Sequence, residues 1–217
     1  MVYSQLELRL AAMIADDQVF IEALLAEDFH ADMAKVMFNT DDITPDQRIR
    51  GKNGTFTWVF GGGAKSVVNS ARREGAILDF GVADAMIRNL NRRFMKSFRW
   101  HMIARSEANR QAVKIHLPWG HERILIGDKK PPNTILNTRV QGRAAVGLKE
   151  AVFACANAGI LKYVSALVHD EIVLASVPDD EVDEVKEVFR NAMIEGMQEV
   201  CTVPVKVDAE SGKMWGN

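Results

Sequence analysis

Residues 163–177 read Tyr163-Val164-Ser165-Ala166-Leu167-Val168-His169-Asp170-Glu171-Ile172-Val173-Leu174-Ala175-Ser176-Val177. Two apolar runs, 163–168 and 172–177, flank the short polar link His169-Asp170-Glu171. That pattern predicts a β-hairpin with the polar residues at its tip. Helical periodicity dominates the chain before it, so the fold class is α+β. Neighbouring carboxylates at a hairpin tip can hold a hard divalent cation. Aspartate also favours turns for local reasons, and His169 alone does not decide between the two.

Outward from the hairpin, 179–200 predicts an amphipathic helix with an acidic outer face, and 203–207 a final strand. On the other side, 138–158 is an Ala-rich helix stopped by Gly159, and 118–132 is a loop or hairpin. Residues 82–115 read as one or two long helices with many basic positions. A sharper signal is Thr44-Pro45-Asp46-Gln47, which puts Thr at an N-cap, Pro at N1 and Gln at N3. That helix should run to Phe60 and stop at Gly61-Gly62-Gly63. Earlier helices are expected at 29–38, with Phe29, Met33, Val36 and Met37 inward, and at 18–26. Residues 4–15 predict another, with Ser4 and Glu7 at capping-box spacing.

The chain has 217 residues, 47% apolar and 26% charged, which excludes disordered, collagenous and disulfide-scaffold classes. Its net charge of -2 hides a block pattern. Residues 1–47 hold 2 basic and 10 acidic side chains, 48–150 hold 20 and 7, and 151–217 hold 5 and 12. A basic middle between acidic flanks fits a polyanion partner, and it equally fits helices with differently charged solvent faces. Cys155 and Cys201 form neither a disulfide framework nor a four-thiolate metal site. No membrane-length apolar run and no signal-peptide pattern is present, so the expected compartment is intracellular.

Arg48, Lys52, Phe56 and Phe60 recur every four residues and lie along one slowly winding helix face. Two cations followed by two aromatics suit a nucleotide, the cations taking phosphates and the rings taking sugar and base. The alternative is a core face with Arg48 and Lys52 at its rim. Residues 88–110 carry Arg88, Arg92, Arg93, Lys96, Arg99, Arg105 and Arg110 among Phe94, Phe98 and Trp100. They can track a phosphate backbone, or form a solvated helix whose aromatics face inward.

In order along nearly the whole chain, these pieces resemble family A DNA polymerases. Tyr3-Ser4-Gln5-Leu6-Glu7-Leu8-Arg9 is similar to the family's motif A, usually Asp-Tyr-Ser-Gln-Ile-Glu-Leu-Arg. Asp28-Phe29-His30 resembles its Asp-Ile-His. Arg48, Lys52, Phe56 and Phe60-Gly61 resemble the fingers helix. Asn137 and Val140-Gln141-Gly142 with Ala144-Ala145 resemble the helix that touches the growing duplex. Val168-His169-Asp170-Glu171 resembles motif C, and Gly212-Lys213-Met214-Trp215 the C-terminal Gly-x-x-Trp.

The resemblance implies an antiparallel palm sheet and a mainly helical fingers subdomain, with thumb and exonuclease domains absent. The palm is expected at 1–30 and 118–217 and the fingers at 31–117. The implied reaction is attack of a primer 3′-hydroxyl on a deoxynucleoside triphosphate, with two Mg²⁺ ions holding the attacking and leaving oxygens. The resemblance gives Asp170 and Glu171 catalytic roles, with Asp170 and the Tyr3 carbonyl as metal ligands. It gives Arg48, Lys52, Phe56, Phe60, Glu7 and His30 to the nucleotide, with Glu7 excluding a 2′-hydroxyl. It gives Asn137, Gln141 and His169 to primer–template DNA. The implied location is the cytoplasm of a bacterial or phage-infected cell.

Two positions depart from the family pattern. Val2 stands where motif A carries a catalytic Asp, and valine cannot ligate a metal. Phe60 replaces a Tyr and loses its hydroxyl, and with it any bond from there to Glu7. The motif A strand is therefore expected to be missing, leaving an exposed sheet edge and marginal stability. Three origins compete: a piece of a split polymerase whose other half supplies the Asp and thumb, a truncated fragment, or a catalytically inactive module that only binds DNA.

Overall fold

The computed structural model describes residues 1–128 and 130–212. Among them the chain forms β1 (Val2–Ser4), α1 (Leu6–Ile14), α2 (Gln18–Leu24), α3 (Phe29–Phe38), α4 (Pro45–Val59) and α5 (Ala64–Arg73). There follow α6 (Phe80–Arg93), α7 (Met95–Glu107), β2 (Ala112–His116), β3 (Glu122–Ile126) and α8 (Pro132–Asn157). The chain ends with β4 (Val164–Val168), β5 (Glu171–Leu174), α9 (Val182–Gln198) and β6 (Lys206–Asp208). Helices combined with small antiparallel sheets make the class α+β, as the sequence predicts. Lys213, Met214 and Trp215 of the C-terminal motif lie outside the described residues.

Two compact units are present, one made of Met1–Leu10, Leu117–His121 and Val140–Asn217, the other of Ala11–His116 and Glu122–Arg139. The first is built on an antiparallel sheet of order β4-β5-β1-β6. Val2 stands opposite Glu171 on one side and Asp208 on the other, and Tyr3 stands opposite Val207. This corrects the expectation of a missing strand: three residues suffice, because Ser4 belongs to the strand and does not cap a helix. Gln5 then takes a left-handed backbone, φ 54°, which ends the strand and turns the chain into α1 at Leu6. The strand lies inside the sheet, so the edges are β4 and β6 and the expected exposed edge at motif A does not arise.

Tyr3 anchors that strand to the helical layer. Its buried hydroxyl donates to the Met193 carbonyl at 2.7 Å, and burial raises its pKa. In the same unit α9 lies directly on α8, because Gly196 presents no side chain there. A Cβ at Gly196 would come within 2.2 Å of the Ala151 nitrogen. Arg9 is buried at 2% exposure, and its guanidinium donates to the carbonyls of Ser4 and Pro204. Those carbonyls compensate a charge that has left water, and burial holds its pKa below the usual value.

The second unit is centred on an aromatic cluster. Phe20 lies 5.0 Å from Phe94 and 5.6 Å from Trp58 between ring centroids, and Phe29 adjoins at 6.1 Å. Each such ring contributes on the order of 2–3 kcal/mol by burial. Capping of α4 is as the sequence predicts: Gln47 N–H donates to the Thr44 hydroxyl oxygen, and Thr44 N–H donates to the Gln47 side chain. Two expectations are corrected here. Residues 112–116 are strand β2, paired residue for residue with β3, and they do not continue the helix. The helix expected at 138–158 starts earlier, at Pro132, because proline is well suited to a first helical turn.

Candidate functional site

In the first unit the hairpin of β4 and β5 turns at His169, whose φ of 56° is left-handed. That turn places Asp170 immediately before β5, half-buried, with His169 exposed beside it. Tyr3 N–H donates to the Asp170 carbonyl at 3.2 Å, which ties the hairpin tip to β1. Val2 and Glu171 are direct cross-strand partners. The position that the resemblance assigns to an aspartate therefore lies beside the carboxylate tip, and it carries an apolar side chain 38% exposed. Among the described residues no group of three His, Cys, Asp or Glu assembles to hold a metal ion. Asp170 and Glu171 offer carboxylates from one hairpin, and Val2 offers none, so this donor set does not fit a pair of Mg²⁺ ions.

Glu7 and Gln141 also belong to the first unit and are brought together. Gln141 Nε2 donates to Glu7 Oε1 at 3.2 Å, linking the first turn of α1 to α8. Gly142, next in sequence, leaves room for Leu117. A Cβ there would sit 2.7 Å from Leu117 Cδ1.

The second unit carries the cationic residues. The buried face of α4 consists of Gly51, Gly54, Thr55, Trp58 and Val59. Arg48 and Lys52 are exposed, and Phe56 and Phe60 are half-buried. The four-residue stripe is thus not the core face of this helix. Glycine at 51 lets α3 and α4 touch, since a Cβ there would lie 2.8 Å from Ala34 Cβ. That close crossing sets His30, in the first turn of α3, near Arg48 and Lys52. Burial lowers the His30 pKa first, and the positive charges of Lys52 and Arg48 lower it further. Asp28 caps α3 by accepting from Ala31 N–H at 3.0 Å and accepts both Arg48 Nε–H and Nη2–H, at 3.1 and 3.0 Å. The Arg48 bonds, then the Ala31 bond, hold its carboxyl below the usual carboxylate range. Asn137 lies on the part of α8 in this unit, with its Oδ1 buried and without a hydrogen-bond partner.

The basic stretch 88–110 divides by role. Phe94 and Trp100 are buried, so these aromatics face the core. Arg88 pairs with Asp84 and Lys96 with Asp16, whereas Arg92, Arg93 and Arg99 are exposed. Two residues with no sequence motif complete the unit. His101 is buried and donates from Nε2 to the Val59 carbonyl at 3.0 Å, and Lys130 donates to the carbonyls of Arg110, Gln111 and Gly127. In sequence His101 is a polar residue beside apolar ones and Lys130 one cation in a polar loop before Pro131, and neither pattern reveals a buried partner.

A family model described as DNA polymerase family A matches residues 1–217. The chain is 29% identical over 229 residues to DNA polymerase I of Aquifex aeolicus, covering 98% of this chain and 38% of that protein. It is 30% identical over 243 residues to DNA polymerase I of Lactococcus lactis subsp. lactis, covering 98% and 25%. It is 29% identical over 219 residues to the DNA polymerase of Mycobacterium phage D29, covering 99% and 34%. The chain thus spans between a quarter and two fifths of the length of these relatives. Among solved structures, the POL domain of Pol1 from M. smegmatis, in complex with DNA primer-template and dNTP, matches with a TM-score of 0.69. The match covers 90% of this chain and 36% of that one at 24% identity, and shows a shared fold. No helix among the described residues is long and apolar enough to cross a membrane.

Proposed function

The chain belongs to DNA polymerase family A, and on that premise we propose that it is the palm and fingers portion of a template-directed DNA polymerase. The palm would take in 1–30 and 118–217 and the fingers 31–117, so that nearly all of the first unit falls in the palm and the fingers fall, Leu117 apart, in the second unit. The reaction served is addition of deoxynucleotides to a primer 3′-hydroxyl by phosphoryl transfer. The observation that carries this reading is the α3–α4 crossing, which gathers His30, Arg48 and Lys52 into one electropositive group. Arg48 and Lys52 would bind the triphosphate, a polyanion that needs fixed cations and repays them with charge-assisted hydrogen bonds. Phe56 and Phe60, half-buried on the same stripe, offer ring faces to sugar and base. Glu7, which accepts a hydrogen bond from Gln141, would exclude a 2′-hydroxyl. His169 and Asn137 would contact primer–template, and the basic side chains of 88–110 would meet its phosphates.

Asp170, Glu171 and the Tyr3 carbonyl are the donors that would face Mg²⁺, which supplies charge neutralisation in phosphoryl transfer. Val2 leaves that set one carboxylate short. We therefore infer that this chain binds primer–template and nucleotide and extends primers poorly. A second reading, a catalytically inactive DNA-binding module, is favoured by the same residue.

Primer extension with Mg²⁺ and salt-dependent binding test the two together, on the chain, Val2→Asp and Asp170→Ala. We expect weak or no extension by the chain, a gain in Val2→Asp, and binding that survives Asp170→Ala. Affinity should fall steeply with salt as counterions re-condense. Robust extension by the chain itself would refute the argument from Val2. Binding without extension in every variant would establish the inactive module, and absence of binding would remove both readings.

A further inference from the structure

We propose that Asp28 is a positioning residue for phosphate recognition, a single carboxylate that ties the His30-bearing helix to the Arg48 guanidinium and holds that guanidinium ready for an anion. This rests on the reading of Arg48 as a triphosphate ligand. The geometry is specific. Asp28 Oδ1 accepts from Ala31 N–H and Arg48 Nη2–H, and Oδ2 accepts from Arg48 Nε–H. The bond to Ala31 fixes the carboxylate at the start of α3, two residues before His30. The two bonds to Arg48 fix the guanidinium in the first turns of α4. One side chain therefore links two helices, already brought together by the Gly51–Ala34 contact, that each present a cationic or protonatable group.

The pair uses one edge of the guanidinium. Of its five N–H donors, three remain outside the pair, including both on Nη1. Both side chains are 48% exposed, so an anion can reach the far edge. An unanchored arginine loses its rotamer freedom when it binds a phosphate, and an arginine already held has less to lose.

Charge counting alone predicts the opposite effect. A carboxylate 3.0 Å from Arg48 repels a phosphate, so its removal should tighten anion binding. The sign of the change separates the two accounts. Asn and Ser both retain N-cap ability, so Asp28→Asn and Asp28→Ser spare α3 while weakening or abolishing the two-point hold on Arg48.

The test is calorimetric binding of inorganic tripolyphosphate to the full chain, Asp28→Asn, Asp28→Ser and Arg48→Ala. We expect Kd to rise roughly two- to tenfold in both Asp28 variants, from the restored side-chain freedom. The Arg48 Nε–H signal in ¹H–¹⁵N spectra, sharp in the parent, should broaden or vanish in Asp28→Ser, a change that a purely helix-capping role would not produce. Unchanged or tighter binding in the Asp28 variants, with Arg48→Ala weakened, would overturn this proposal and leave the nucleotide reading intact. Unchanged binding in Arg48→Ala, or no binding by the parent chain, would overturn both.

Discussion

Acidification should destabilise the second unit through His101, by an amount that the structure sets. The ring is 3% exposed, with its centroid 5.3 Å from that of Trp58. Burial, the largest influence, pulls its pKa from 6.5 down to about 4, against the raising effect of its bond to the Val59 carbonyl. The folded pKa is depressed, so the unfolded chain takes up the proton first as pH falls. The favourable contribution is complete above pH 6.5 and is lost as pH drops towards 4. At about 1.36 kcal/mol per pKa unit, the full swing is about 3 kcal/mol, of which about 2 kcal/mol is already lost near pH 5. Urea unfolding followed by tryptophan fluorescence, at pH values from about 7.5 to about 5, measures this directly. Carboxylates titrate in the same range, so the comparison is with His101→Gln, which keeps a side-chain donor and cannot ionise. The parent should lose about 2 kcal/mol more than the variant across that window. Parallel pH profiles for the two proteins would show that the buried imidazole is not the titrating group.

Two further outcomes follow from packing. Gly196→Ala sets a methyl carbon 2.2 Å from the Ala151 nitrogen, and a backbone atom cannot rotate aside. Overpacking at or above ~3 kcal/mol should outweigh the ~1 kcal/mol gain in helix propensity, for a net loss of about 2 kcal/mol in denaturant unfolding. Gly63→Ala, where nothing lies within 4 Å, avoids any clash and should cost at most about 1 kcal/mol, from the poorer N-cap that Ala gives α5. Lys130→Met removes the shared donor of three carbonyls and should cost about 2 kcal/mol. Hydrogen exchange should then speed up in β2 and β3, and unchanged protection there would contradict the stapling role.

Local chemistry made much of this protein legible from its sequence. The capping box at Thr44 and Gln47, the stop at Gly61 and the β4–β5 hairpin around His169-Asp170 depend on interactions within a few residues, which patterning reports directly. The ordered motifs from Tyr3 to Asp170 likewise identified the family, because family membership is written in residue identities. What only the tertiary structure decided depends on partners far apart in the chain. A three-residue strand has too little sequence to show periodicity, and β1 exists because β5 and β6 flank it, about 170 and 200 residues away along the chain. Spacing placed Arg48, Lys52, Phe56 and Phe60 on one face without telling a core face from an open one. The approach of Ala34 at Gly51 settled which face is buried. Likewise Asp28 reads in sequence as one more acidic residue before a helix. Its bond to Arg48 arises only where two helices cross, since a carboxylate and a guanidinium 20 positions apart acquire a shared geometry only from the packing that brings them together.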